Sequence, residues 1–169
     1  TVWCNEDGTF VTYTSDRFGF NNQDKEWDKK KHIIFLGDSY TQGVCVNSFE
    51  NIPSKFKDSL DYDDIGIINL GIRGNGPLSE YASFVEYSKI LNPIAIFWLY
   101  YEGNDLKNLK FESQVKTLHN YLENKNFSQN LINYQNYLDN VLYEKFLERL
   151  SFELNTKKQI KDNKILFGL

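Results

Sequence analysis

The feature that most constrains this chain is Ile33-Ile34-Phe35-Leu36-Gly37-Asp38-Ser39-Tyr40-Thr41-Gln42-Gly43. Four apolar residues run directly into Gly-Asp-Ser, and a second glycine follows four residues after the serine. A continuous apolar run of this kind reads as a strand buried on both faces, as in a parallel sheet. A strand that stops at a glycine and presents a hydroxyl is how an α/β protein exposes a nucleophile. The same residues also suit an ordinary strand-to-helix turn with Ser39 as a cap, because Asp and Ser favour such positions. What decides between the two is the company Ser39 keeps.

Two more strand-like segments follow, each with a polar, glycine-bearing exit. Ile65 to Leu70 leads into Asn69-Leu70-Gly71-Ile72-Arg73-Gly74-Asn75-Gly76-Pro77, whose glycines let backbone approach a ligand closely. Ile94 to Tyr101 is the longest apolar run and predicts a strand covered on both faces; it exits into Glu102-Gly103-Asn104-Asp105-Leu106. Between the first two strands, Phe49, Ile52, Phe56 and Leu60 share one face of a predicted helix, with Pro53 in its first turn. Asp61 to Asp64 then make an acidic turn. Pro77 opens a second helix with Leu78, Tyr81, Ala82, Val85 and Leu91 on its buried face, and Asn92-Pro93 ends it. The alternation predicts a three-layer, doubly wound parallel sheet. Ligands bind such sheets at the carboxyl ends of the strands, where the exits at Ser39, Gly74 and Asn104 all fall.

The flanks differ in texture. Residues 1–31 read as a polar N-terminal extension with a β-like piece at Thr9–Thr14 and a turn-rich stretch whose Phe18 and Phe20 anchor it to the core. Arg17 is expected in a surface ion pair, and Asp24 to Lys31 as a solvated approach to the first strand. The α/β core spans 32–110. From Phe111 on, Val115, Leu118 and Leu122 suggest one helix, and Leu131, Tyr134, Leu138, Val141, Leu142 and Phe146 a longer one. Residues 111–160 read either as a helical cap or insertion after the third strand, or as packing helices of the core domain. The next strand-like segment is Lys164–Phe167. The chain starts at Thr1, contains no Met and stops as that apolar segment begins, so a single domain cut from a longer protein and incomplete at its C-terminus is expected.

Charge narrows the partners. With 23 acidic against 19 basic residues and no Arg-rich stripe, nucleic acid is not an expected partner. No apolar run approaches the roughly 18 residues of a membrane span, so any membrane contact would come through an anchor outside this stretch. The two cysteines, Cys4 and Cys45, have neither zinc-site nor redox-motif spacing, and no metal or cofactor is expected. They are either two buried thiols or one disulfide tying the N-terminal segment to the serine turn; the disulfide would imply an oxidising compartment such as a periplasm.

Gly37-Asp38-Ser39, Gly74 and Asn104, each after one of three successive strands, resemble the SGNH (GDSL-type) hydrolases. The resemblance implies a flavodoxin-like SGNH fold. It puts the nucleophile on Ser39 and an oxyanion hole on the Ser39 N–H, the Gly74 N–H and the Asn104 side chain. Asp38, Asn75, Glu102 and Asp105 fall beside these positions and are the expected substrate-side residues. Tyr101-Glu102-Gly103-Asn104-Asp105-Leu106, with Asn69-Leu70-Gly71 and Gly74-Asn75-Gly76-Pro77, is most similar to a bacterial branch of that family. Members of that branch are often found with cell-surface polysaccharide genes and an upstream membrane anchor, which implies a periplasmic or extracytoplasmic setting. The implied chemistry is hydrolysis or transfer of ester-linked acyl groups, O-acetyl among them, on a small molecule or carbohydrate.

Two departures stand out. Glu102 holds the place of the first glycine in the common Gly-x-Asn-Asp block, its carboxylate either lining the site or facing solvent. The family's late Asp-x-x-His is absent. His32 lies seven residues before Ser39 at the far end of the same strand, roughly 20 Å away at about 3.3 Å per residue, and cannot serve as its base. His119 falls in the helical region after the core and reads as a surface histidine. Without a base a serine hydroxyl is a poor nucleophile, so the 169-residue chain is expected to be nearly inactive. Two other classes compete: a non-catalytic glycan-binding module on the same fold, and a phosphate-binding module using the Ser39–Gly43 loop. The latter lacks a Walker lysine, and Asp38 would repel the phosphate.

Overall fold

Three strands, β1 (Lys31–Leu36), β2 (Ile65–Asn69) and β3 (Pro93–Trp98), pair in parallel in the order β2-β1-β3. The computed structural model describes the backbone of residues 11–166 and the side chains of 11–154 and Thr156. Ser39–Gln42 forms a single helical turn, α1, and Ile52–Asp58 forms α2; both lie between β1 and β2. Between β2 and β3 runs α3 (Pro77–Tyr87), continued by a 3-10 turn at Ser88–Ile90. After β3 come α4 (Asp105–Glu112) and α5 (Lys116–Glu123).

Alternation along the strands sends Ile33, Phe35 and Ile67 to one face of the sheet, where Phe56 and Leu60 pack on them. Phe35 stacks on Phe97 at 5.0 Å, and Phe56 meets both rings edge-on. Ile34, Leu36 and Ile68 point the other way and, with Leu70 just beyond β2, are at most 2% exposed. Each such side chain contributes about 1.5–3 kcal/mol by leaving water. Helix α3 covers that second face, reaching β3 through Trp98, whose indole N–H donates to Glu80 at 2.5 Å. Helices on both faces of a parallel sheet make the expected three-layer α/β arrangement.

The sequence pattern misplaces several details: Asp24–Lys31, expected to be solvated, buries Glu26 and Trp27 in a 3-10 turn at Asp24–Asp28. Helix α2 starts at Ile52 rather than Phe49 because Asn51 caps it, its Oδ1 accepting from the Ser54 N–H at 2.9 Å. Phe49 and Ile52 are consequently exposed, and only Phe56 and Leu60 of that face reach the core. The last correction is larger. β3 is not covered on both faces: Ile94, Ile96, Phe97 and Trp98 are 41–51% exposed. An apolar run signals burial, but among the described residues β3 is the outermost strand and pairs with β1 alone.

The opposite edge is managed differently. Asn22 accepts from the Asn69 N–H at 2.8 Å and donates to the Asn69 carbonyl at 3.0 Å, while Glu26 accepts from the Ile67 N–H. The N-terminal segment thus satisfies the outer edge of β2. Asp16 folds that segment, accepting from Phe18 N–H, Phe20 N–H, the Asn22 amide and the Trp27 indole. Phe18 and Phe20 anchor as expected, against Trp27 and Tyr87, and Arg17 pairs with Asp24 and Asp28. Of the predicted β-like piece, residues 9 and 10 lie outside the described residues; within them Thr12 makes a single bridge.

The chain divides into two compact units, the first reaching Gln129 and the second starting at Asn130. In the second unit a 3-10 turn at Leu131–Tyr134 leads into α6 (Gln135–Leu166), a helix of 32 residues. Of Lys164–Phe167, expected as strand, Lys164–Leu166 is the end of this helix and Phe167 lies outside the described residues. No Gly or Pro interrupts Gln135–Leu166, and the ion pairs Lys145–Glu148 and Arg149–Glu153 support its surface, so the helix propagates.

Candidate active site

The serine turn is built by close approach. Gly37 has φ +153°, and a Cβ there would lie 2.0 Å from Thr41 Oγ1 and 3.0 Å from the Leu99 carbonyl. Only glycine lets β1 end against both the turn that follows and the exit of β3. Asp38, 2% exposed, then caps α1: its Oδ1 accepts from the Tyr40 N–H at 3.0 Å. Ser39 opens the turn and is half-buried, and its Oγ donates to Asp38 Oδ2 at 3.4 Å, a long and weak bond.

The same Oδ2 accepts from Asn104 Nδ2 at 3.0 Å. The structure therefore draws Ser39, Asp38 and Asn104, from the ends of β1 and β3, to one point. The amide orientation follows from charge, since a flipped Asn104 would set its carbonyl oxygen against the Asp38 carboxylate. Asn104 Oδ1 is buried without a hydrogen-bond partner among the described residues. Asp105, fully buried, fixes the third loop by accepting from the Tyr101 N–H at 2.6 Å. Burial pushes its carboxyl above the ordinary range, with the charges of Asp38 and Glu112 adding to the effect. Glu102 is exposed.

The loop after β2 is stitched to the serine turn from several sides. Asn69 donates to the Thr41 carbonyl at 2.7 Å, the Ile72 N–H donates to the Gly37 carbonyl at 3.2 Å, and the Arg73 N–H donates to Gln42 Oε1 at 2.7 Å. Gly74 sits in this loop at φ +86°, exposed, with open space where a Cβ would be. Its backbone conformation, rather than lack of room, calls for glycine. Asn75 is half-buried, and its carbonyl accepts from Asn108 at 3.2 Å.

Neither histidine is bonded at the serine. His32 is 2% exposed at the start of β1, where its Nδ1 accepts from the Asn92 N–H at 3.1 Å; burial lowers its pKa. His119 Nε2 donates to the Ser113 carbonyl at 2.6 Å in the turn between α4 and α5. Cys45, two residues beyond Gly43, is disulfide-bonded; Cys4 lies outside the described residues.

Several residues that shape this edge carry no motif. Glu112 accepts from the N–H groups of Gly76 and Leu78, at 2.8 and 2.9 Å, and so holds the second loop and the start of α3. Glu80 is fully buried, and burial pushes its carboxyl up to about 7; its Oε1 has no hydrogen-bond partner among the described residues. Tyr40 and Tyr101, both exposed, pair with ring centroids 4.8 Å apart. An open cavity of about 610 Å³ lies at Ser39, walled by Tyr40, Val44, Val46, Glu50, Ile52 and Arg73. Tyr101 falls inside the Tyr-Glu-Gly-Asn-Asp-Leu block without having been singled out, and nothing in the local pattern marks Glu80, Glu112 or Arg73.

No protein-family model matches the chain, and no curated protein matches it. Among solved structures it is similar to AlinE4, an SGNH-hydrolase family esterase, at 26% identity and a TM-score of 0.38. The similarity covers 52% of this chain, and the chain spans 56% of that esterase.

Proposed function

We propose that Ser39 is the nucleophile of a serine esterase or acyltransferase that acts on ester groups, O-acetyl among them, of a carbohydrate. The observation that carries this reading is the single oxygen, Asp38 Oδ2, that receives both Ser39 Oγ and Asn104 Nδ2. It puts a hydroxyl and a neutral amide donor at the carboxyl edge of a parallel sheet, where the motifs of the first and third strand exits resemble those of SGNH hydrolases.

In this reading Ser39 Oγ bonds to the ester carbonyl carbon and its proton passes to a base. The carbonyl π electrons move onto oxygen, which the Ser39 and Gly74 N–H groups and Asn104 Nδ2 stabilise. Each such donor is worth about 3–4 kcal/mol in the transition state. The C–O bond to the sugar breaks, the alcohol leaves with a proton, and acyl-Ser39 remains. Water then completes hydrolysis, or a second hydroxyl completes transfer. The exposed Tyr40–Tyr101 pair offers apolar ring faces with polar tips, which suits a sugar. The disulfide at Cys45 favours an extracytoplasmic setting.

With His32 and His119 bonded elsewhere, the base must come from outside the described residues. Loss of the histidine from such a unit costs about 10⁶ in rate. The 169-residue chain should therefore hydrolyse p-nitrophenyl acetate at the rate of its Ser39→Ala variant. Turnover that disappears in Ser39→Ala would overturn the assignment of the base elsewhere while supporting the nucleophile. The placement of both histidines also favours a second reading, a glycan-binding module that keeps the polar edge without chemistry. A Ser39 that never acylates would select it.

A further inference from the structure

We infer that the cavity beside Ser39 takes a ligand bearing a carboxylate, and that Arg73 is the residue that reads this charge. The inference deepens the proposed function, naming an acidic sugar ester as the substrate class, and rests on it only in taking Ser39 as the reacting group.

Arg73 stands one residue before Gly74 on the second loop. Its root is fixed, because its N–H donates to Gln42 Oε1 at 2.7 Å and Gln42 is 5% exposed. Its side chain is exposed and walls the cavity that opens on Ser39. The chain has three arginines. Arg17 is paired with Asp24 and Asp28, and Arg149 with Glu153. The Arg73 guanidinium has no ion pair among the described residues, in a chain where acidic residues outnumber basic ones.

The acid in the same wall does not compensate it. Glu50 Oε2 is engaged by Asn47, accepting from its Nδ2 at 2.9 Å and from its N–H at 3.4 Å. Val44, Val46 and Ile52 add apolar surface to the same wall, against which the body of a sugar ring can rest. A guanidinium presents a planar fork of N–H donors that fits the two oxygens of a carboxylate. A doubly charged phosphate fits less well, because Glu50 lines the same cavity and repels the larger charge more strongly.

The test is a solution NMR titration of the 169-residue chain, following the amides of Tyr40, Arg73 and Gly74. The probes are methyl glucuronide, glucose 6-phosphate and methyl glucoside. Methyl glucuronide should shift these amides saturably and bind about tenfold or more tightly than the neutral glucoside, with salt weakening the difference. Arg73→Gln should abolish the preference, and Arg73→Lys should retain part of it. Equal or absent binding of the two sugars, tighter binding of the phosphate, or a preference that survives Arg73→Gln in a folded variant would overturn the inference. Fluorophosphonate labelling, with added imidazole standing in for the base, separates the two claims. A charge preference without Ser39 labelling would keep the Arg73 site and remove the esterase. Ser39 labelling without a charge preference would remove only the Arg73 site.

Discussion

Asp38 does three things with two oxygens. Oδ1 caps the serine turn, while Oδ2 holds both the serine hydroxyl and the asparagine amide. Removing it should cost the cap and strand a half-buried amide. Asp38→Ala is expected to lose about 2–3 kcal/mol in urea unfolding; a loss below about 0.5 kcal/mol, ordinary for a surface substitution, would contradict the network. Glu80 adds a pH dependence whose sign is fixed. Its folded carboxyl titrates at about 7 against an ordinary 4.5, so the folded state holds a proton that the unfolded state releases. That contribution is complete below 4.5 and is lost as pH rises through 7. Glu80→Gln keeps an acceptor for the Trp98 indole and should flatten the fall in melting temperature over that range. Asp16 and Asp105, also raised by burial, leave a residual slope. An unchanged slope in the variant would rule Glu80 out. At this scale the meeting of Ser39 and Asn104 at one edge was legible, because their motifs fix both residue and position. Glu80 was not: a glutamate on a helix reads as solvated, and only tertiary packing buries it under Trp98.

Among the elements, the strands and their parallel order follow from apolar runs and glycine exits, because those signals are local. What escaped is set by neighbours. Phe49 and Ile52 had the spacing of a buried helix face, yet Asn51 starts α2 after Phe49 and leaves both residues in water. β3 had the composition of a central strand and, among the described residues, is an edge. The two edges of this sheet make the point clearly. Asn22 and Glu26 satisfy the outer backbone of β2, whereas the outer side of β3 offers Ile94, Ile96 and Trp98 to solvent. An exposed apolar edge of this kind promotes self-association. Ile96→Lys should reduce dye binding by the hydrophobic probe ANS and reduce concentration-dependent aggregation. Because Ile96 is 46% exposed, stability should change by less than about 1 kcal/mol. Unaltered ANS binding would show that β3 is not the sticky surface.

For the whole molecule, topology explains why the site is where it is. The chain leaves β1 for β2 on one side and returns to β3 on the other, so the exits diverge at the carboxyl end of β1. That divergence opens the crevice in which doubly wound sheets bind ligands, and Ser39 begins one residue after Asp38 at its mouth. Around it, Asn69, Ile72 and Arg73 lock the second exit to the first, and Asn104 locks the third. The cavity beside the serine was invisible in sequence, since its wall is assembled from Tyr40, residues 43–46, the start of α2 and Arg73. The central claim is that this crevice makes Ser39 an acyl-accepting nucleophile. Peptide mass spectrometry after incubation with a fluorophosphonate, with added imidazole standing in for the base, tests it directly. The predicted result is one adduct, on Ser39, formed faster with imidazole, absent in Ser39→Ala and about a hundredfold slower in Asn104→Ala. An unmodified Ser39, or labelling spread over other hydroxyls at the same rate, would contradict it.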